Sequence, residues 1–270
     1  MGILNVTPDS FSDGGKSSTV SNAVANSLKM IDEGADIIDI GGQSTAPNAP
    51  EITDQEEIDR VVPVIHAIRQ ANSTVPISID TFRAQVAKAA LEAGANLVND
   101  VSGGTRDPEM LNVMSSHNAP VCLMHMRGNS STMNGLTNYD GDLVEVLIQE
   151  LSRVVSKALL NGVFRWNIMI DPGIGFAKNH EQNYQILKRL PELTTARRDS
   201  SLTNMPVLVG VSRKRFLGKT TNQPDAKARV LSTAAANAIS LFQGAFVVRV
   251  HDVKENKDVC LVCDELLQPS

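Results

Sequence analysis

PISIDTFRAQVAKAALEAGANLVNDV, residues 76–101, contains the unit from which the rest of the chain is built. Pro76–Asp80 is a short apolar run without strict alternation, as in a strand covered on both faces of a parallel sheet. Arg83–Ala93 then sets apolar residues at helical spacing, Gly94 supplies the usual stop, and Asn96–Val101 reads as a second strand. Strand, helix and strand in that order make a parallel crossover unit.

The same unit recurs in both directions. Strand-like runs occupy Ile3–Val6, Ala35–Ile40, Pro120–Met126, Asn167–Asp171, Pro206–Val211 and Phe246–Val250. Helical spacing marks Ser18–Glu33, Asp54–Ala71, Pro108–Ser116, Gly141–Leu160, Glu181–Leu190, Pro224–Phe242 and Val253–Leu267. About eight pairs is the number that closes a (β/α)8 barrel of roughly 250 residues, so one TIM barrel over residues 1–270 is predicted, with its site at the C-terminal strand ends. Of two polar interruptions, Arg127–Asn138 follows a strand and belongs at the mouth, whereas Thr194–Asn204 follows a helix and belongs on the opposite face.

Composition excludes several classes. The 270 residues are 42% hydrophobic and 20% charged, enough for a core without staples, and 25 Lys+Arg against 30 Asp+Glu leave a formal charge of −5. That balance argues against a nucleic-acid or anionic-membrane partner. Three cysteines point to a reducing compartment, so the cytosol is expected; a mitochondrial address would need an upstream targeting segment. With a strand predicted at residue one, the chain is expected to be a segment of a longer one. Cys260 and Cys263 have metal-like spacing, but a structural zinc needs four ligands, so both are read as packing in the last helix. His66 and His117, in helical segments, are read as surface or satisfied core residues.

In a barrel the informative residues are the polar ones that end the strands. They run Asn5; Asp39; Asp80; Asn99 and Asp100; His125; Asp171; Ser212–Lys214; and Arg249 with His251. Any one of them is as well explained as a turn former or helix cap. Together, amides and carboxylates on one side, with Lys214, Arg249 and His251 on the other, describe a pocket for a polar heterocycle and an anion.

Read in order, these strand ends resemble dihydropteroate synthase. The resemblance is carried by residues 1–15, MGILNVTPDSFSDGG, then by Asp39–Thr45, Ile79–Thr81, Asn99–Gly103, Met124–Gly128, Asp171–Phe176, Ser212–Lys214 and Arg249–Asp252, across essentially the whole chain. Phe164–Trp166 and Phe176–Asn179 are similar to fungal members, in which the activity is one part of a fused folate-synthesis polypeptide. The resemblance implies condensation of 6-hydroxymethyl-7,8-dihydropterin diphosphate with p-aminobenzoate, sulfonamide inhibition, Mg²⁺ as cofactor and a homodimer formed through late helices. Its catalytic set would be Asp80, Asp171, Lys214 and Asp13. Asp80, Asn99, Met124, Asp171, Gly210, Lys214 and Arg249 would bind the pterin. Phe11, Thr45, Phe176, Ser212 and Lys214 would surround p-aminobenzoate. Asn5, Arg249 and His251 would take the diphosphate, with Asn5 also on the metal, while the loops of Phe11, Asp13 and Thr45 close over the site.

One departure stands out: Ala46 occupies a position where many family members carry Arg. A lineage that does without it, an altered sulfonamide response and a deliberate change each account for it. Two other functions compete. A methyltetrahydrofolate-dependent methyltransferase also holds a pterin in a barrel, but has no diphosphate to bind and so no use for Asn5 and the Arg249–His251 pair. A non-catalytic paralogue acting as a scaffold would not need the ring of strand ends.

Overall fold

The computed structural model describes residues 1–7, 16–44, 50–195 and 201–268. Strands and helices alternate in the order β1 (Gly2–Asn5), α1 (Lys16–Asp32), β2 (Ile38–Gly41), α2 (Asp54–Ala71), β3 (Ile77–Asp80), α3 (Ala84–Glu92), β4 (Leu97–Asp100) and α4 (Met110–Ser116). They continue through β5 (Val121–Met124), α5 (Leu143–Leu160), β6 (Ile168–Asp171), α6 (His180–Lys188), β7 (Leu208–Val209), α7 (Arg215–Thr221), α8 (Val230–Phe242), β8 (Val247–Val248) and α9 (Val253–Leu267).

Each strand from β1 to β5 pairs in parallel with the next, and β7 pairs with β8. Parallel bridges Ile170↔Val207 and Gly2↔Val250 join the two pieces and close the ring, giving the expected (β/α)8 barrel. Gly94, at φ +111°, ends α3 in the left-handed conformation a side chain resists.

The period of two along each strand sorts the residues into layers. Ile38, Ile40, Ile77 and Ile79 are fully buried in the main core with Val61, Ile65 and Ile68 of α2. Their neighbours Asp39, Ser78 and Asp80 therefore face the barrel interior. A separate apolar cluster of Met1, Cys122, Met169 and Leu208, with Ile37, Leu97 and Val247 packed on it, fills that interior lower down. Six of these residues lie two positions before Asp39, Asn99, Met124, Asp171, Gly210 and Arg249. The floor of the site is thus an apolar plug, with the polar residues one layer above.

The helices lie close to the predicted segments, with one exception. The segment Pro224–Phe242 starts its helix only at Val230, after a turn of 3-10 helix over Lys227–Arg229, and a further helix, α7, precedes it. Arg229 holds that connection by donating to the carbonyls of Gln223, Arg213 and Pro224. Cys263 is buried and Cys260 half-buried on α9, and His66 and His117 are exposed. Among the described residues no helix is long and apolar enough to cross a membrane.

Candidate active site

Parallel register assembles the site. Asn5 pairs with Gly41, Gly41 with Asp80 and Asp80 with Asn99, while Met124 pairs with Asp171. The neighbours in space are therefore residues that occupy equivalent strand ends in sequence. Asn5, Asp80, Asn99, Met124 and Asp171 line a cavity of about 910 Å³ together with Gly210, Ser212, Lys214, Arg249 and His251, within the size range of small-molecule sites. Met133 and Asn134 also line it, which puts the Arg127–Asn138 stretch at the mouth. Phe11, Asp13, Thr45 and Ala46 lie outside the described residues.

At the floor, Arg249 joins two carboxylates from different strands. Its Nε donates to Asp39 Oδ2 at 2.6 Å and its Nη2 to Asp80 Oδ2 at 2.7 Å, and Asn99 Nδ2 donates to the same Asp39 oxygen at 3.2 Å. The separation of an anionic from a cationic side expected from the sequence therefore does not extend to Arg249. Buried carboxylates left without a countercharge would be costly, and Arg249 supplies it. Burial would lower the Arg249 pKa, but Asp39 and Asp80 outweigh that and hold the guanidinium above its ordinary range. Burial pushes Asp80 up to about 7, against the pull of Arg249 and with the repulsion of Asp39. Asp171 is also raised by burial, opposed first by Lys214, and accepts the Gly173 N–H at 2.7 Å.

Lys214 stands at the N-cap of α7, donates to the Ile174 carbonyl, and lies over the Phe176 ring, 4.7 Å from its centroid. Burial lowers its pKa to about 8, with Asp171 acting against the shift. Phe176 is thereby presented to the cavity from the loop after β6. Ser212 and His251 form a pair: Ser212 Oγ accepts the His251 backbone N–H at 3.1 Å and lies 2.9 Å from His251 Nδ1. With Nδ1 accepting the hydroxyl hydrogen, Nε2 is the ring donor. Burial, followed by the charges of Arg213 and Arg249, lowers His251 to about 4. His251 is therefore neutral near pH 7.

Two strand-end residues turn out to serve the scaffold. Asp100 is fully buried and accepts from the backbone N–H of Ser102 and Gly104, as a turn former does. His125 is turned away from the ring, because Met124 takes the inward position beside it; its Nε2 lies 2.7 Å from Glu150 Oε2 on α5. Asp39 was visible at the end of β2 but received no role, although it organises both Arg249 and Asn99. Lys178 had no strand-end signal. It enters the cavity lining because Ala177 adopts φ +50°, a conformation uncommon for a residue with a side chain, and turns the chain back.

The comparisons with known proteins agree with this geometry. The pterin binding enzyme family model matches residues 1–251. A Synechocystis sp. protein named dihydropteroate synthase is 50% identical over 98% of this chain and 89% of its own length. The fission yeast (Schizosaccharomyces pombe) folic acid synthesis protein fol1 is 48% identical over 96% of this chain, which spans 35% of that protein. A crystal structure of dihydropteroate synthase from Clostridium difficile, determined in the presence of pteroic acid, superposes with a TM-score of 0.91 and 40% identity, covering 100% of this chain and 96% of that one. On the strength of the family match and of identity sustained along nearly the whole chain, this protein belongs to the dihydropteroate synthase family of pterin-binding enzymes.

Proposed function

We infer that the chain condenses 6-hydroxymethyl-7,8-dihydropterin diphosphate with p-aminobenzoate, giving 7,8-dihydropteroate and diphosphate. The observation that carries this reading is the Asp39–Arg249–Asp80 bridge with Asn99, set beside Asp171 on the floor of an otherwise open cavity. A planar ring with both donors and acceptors on its edge is matched there by Asn99, Asp171 and Asp80, with Met124, Gly210, Lys214 and Arg249 completing the pterin subsite. Phe176, Ser212 and Lys214 stand toward p-aminobenzoate, and Phe11 and Thr45 complete that subsite in this reading. Asn5, Arg249 and the His251 Nε2 donor face the diphosphate.

The chemistry follows from where the charges are. Cleavage of the methylene C–O bond sends its electron pair out with diphosphate and leaves a positive methylene conjugated with the dihydropterin. Asp80 and Asp171, fixed before reaction, stabilise that charge. The aromatic amine then forms the C–N bond and gives up a proton, so no strongly basic residue is needed. Asp13 belongs to the same reading as part of the loop that keeps water from the cation.

Mg²⁺ fits the donor set. No three His, Cys, Asp or Glu side chains among the described residues group to cage an ion. Asn5 brings an amide oxygen to the cavity at the end of β1, a donor suited to an ion that arrives largely held by phosphate and water. When bound, Mg²⁺ would neutralise the departing diphosphate. A homodimer belongs to the same proposal, supported by the exposed apolar face of α8 and α9. Fusion to further folate-synthesis domains draws on the likeness to fission yeast fol1, but the equal likeness to the Synechocystis protein gives it no preference; sequencing the transcript upstream of codon 1 tests it. A cytosolic location also goes with this reading, which the three free cysteines favour.

The test is diphosphate release on mixing the protein with the dihydropterin diphosphate, p-aminobenzoate and Mg²⁺. Turnover is expected, and Asp80→Asn should cost about 100-fold in kcat with the fold retained. Pterin binding without release would leave the non-catalytic reading standing, and near-normal turnover of the variant would remove Asp80 from the chemistry.

A further inference from the structure

A second buried network touches the cavity from behind the loop that follows β6. Lys178, only 8% exposed, lines the cavity, and its Nζ makes hydrogen bonds to the Phe176 carbonyl at 2.9 Å and to His125 Nδ1 at 3.0 Å. With Nδ1 accepting, His125 donates through Nε2 to Glu150 Oε2 at 2.7 Å. Arg127 closes the far end, donating to both Glu150 oxygens and lying 3.9 Å from the Tyr139 ring centroid. Tyr139 in turn donates to the Ala177 carbonyl at 3.0 Å. The circuit begins and ends on the loop that presents Phe176.

Lys178 also lies beside the peptide that caps Asp171. A Cβ on Gly173 would stand 3.4 Å from Lys178 Nζ, and the Gly173 N–H is the group that donates to Asp171. We propose that Lys178 is a positioning residue of the pterin subsite: clamped by His125 and the Phe176 carbonyl, its ammonium adds to the countercharge that Lys214 gives Asp171 and fixes the 172–178 loop, which caps Asp171 through Gly173 and carries Phe176. The proposal rests on the transfer reading given above. Four elements surround the pair. Lys178 faces Asp171 from β6, Lys214 from the loop after β7, Glu150 from α5, and His125 and Arg127 from the loop after β5. Asp171 faces Lys214, Lys178 and Arg249, with Cys122 nearby. Burial lowers Lys178 to about 7, with Asp171 the largest opposing influence, so the ammonium form is present through the weakly acid range.

The experiment compares Lys178→Met, Lys178→Arg and Glu150→Gln with the wild-type chain. It reads the ¹³C resonance of the Asp171 carboxyl, assigned by its loss in Asp171→Asn, alongside steady-state kinetics. Lys178→Met should move the Asp171 midpoint up by about one pH unit and lower kcat/KM for the dihydropterin diphosphate about tenfold. Lys178→Arg should recover the midpoint and most of the rate, because the charge returns. Glu150→Gln, which removes the carboxylate that pairs with His125 and whose charge also faces Lys178, should shift the midpoint in the same direction by less. An unmoved midpoint in Lys178→Met, or in Glu150→Gln where the Met variant fails to fold, overturns the proposal. So do Met and Arg variants that are equally impaired, since a purely steric role predicts that. A wild-type protein that releases no diphosphate would instead overturn the transfer reading, and the Asp171 titration would still report on Lys178.

Discussion

Gly173 leaves no room for a side chain: at φ +68° its Cβ would come within 2.0 Å of the His125 carbonyl oxygen. That close approach is what packs the β6 loop onto the end of β5, and it ties His125 to the site although His125 faces away from the cavity. His125 is 2% exposed, and burial, then the charge of Lys178, lowers it to about 4, while its hydrogen bond to Glu150 pulls the other way. The sign follows from the unfolded value near 6.5. Between about pH 6.5 and 4 the unfolded chain takes up a proton that the folded chain refuses, so the stability tied to neutral His125 is complete above 6.5 and is lost as pH falls through that window. The buried acids Asp80 and Asp100 titrate in the opposite sense, so the effect is isolated as a difference between chains. The stability gap between wild type and His125→Asn, from urea unfolding, should shrink by about 2 kcal/mol from pH 7 to pH 5. A gap that does not vary with pH would show that His125 is not held neutral. Lys178 illustrates why part of the site escapes a reading of strand ends, since it reaches the cavity only through the left-handed turn at Ala177, which no local composition announces.

At the level of elements, the pattern of the chain carries most of the barrel because a parallel strand buried on both faces leaves a plain apolar run, and all eight runs became strands or bridges to them. The site was legible for the same reason: strand ends in equivalent register become neighbours. Arg215–Thr221 was not legible as a helix, being short, basic and interrupted by Gly218, and its fold is decided by tertiary contact rather than propensity. Helix α6 shows local and tertiary signals in agreement. Asn179 at its N-cap accepts the Gln182 N–H, and the Gln182 side chain accepts the Asn179 N–H, a complete capping box directly after Lys178. Asn179→Ala should lower unfolding stability by about 1 kcal/mol and raise KM for p-aminobenzoate, because the frayed turn releases the loop that carries Phe176. A stability loss of that size with unchanged KM would mean that the loop is held by Lys178 and Tyr139 alone.

Over the whole molecule, the distribution of apolar surface is uneven, and α8 is where it departs furthest from expectation. The segment Val230–Phe242 is apolar enough to serve either as barrel packing or as a contact between subunits, and its orientation distinguishes the two. Its buried residues are Thr233, Asn237 and Ser240, with Asn237 donating to Asn256 of α9 at 2.7 Å and Thr233 accepting the Arg213 N–H at 3.0 Å. Leu231 and Ile239, 85% and 55% exposed, face outward with Phe242, Phe246 and, on α9, Val262 and Leu266. A helix that turns polar residues inward and leucine outward would be an error of patterning in a monomer, and exposed large apolar side chains grouped on neighbouring helices mark an association surface. The proposed homodimer covers that patch, and because Thr233 anchors Arg213 next to Lys214, it would also brace the β7 loop. Ile239→Asp with Leu231→Asp replaces solvent-facing residues that take no part in the internal packing of α8, so the fold should survive. Light scattering at micromolar concentration should give about twice the 29.1 kDa chain mass for wild type and the single-chain mass for the double variant. A wild-type protein already at 29.1 kDa, or a variant that keeps the doubled mass, would refute the dimer through this face.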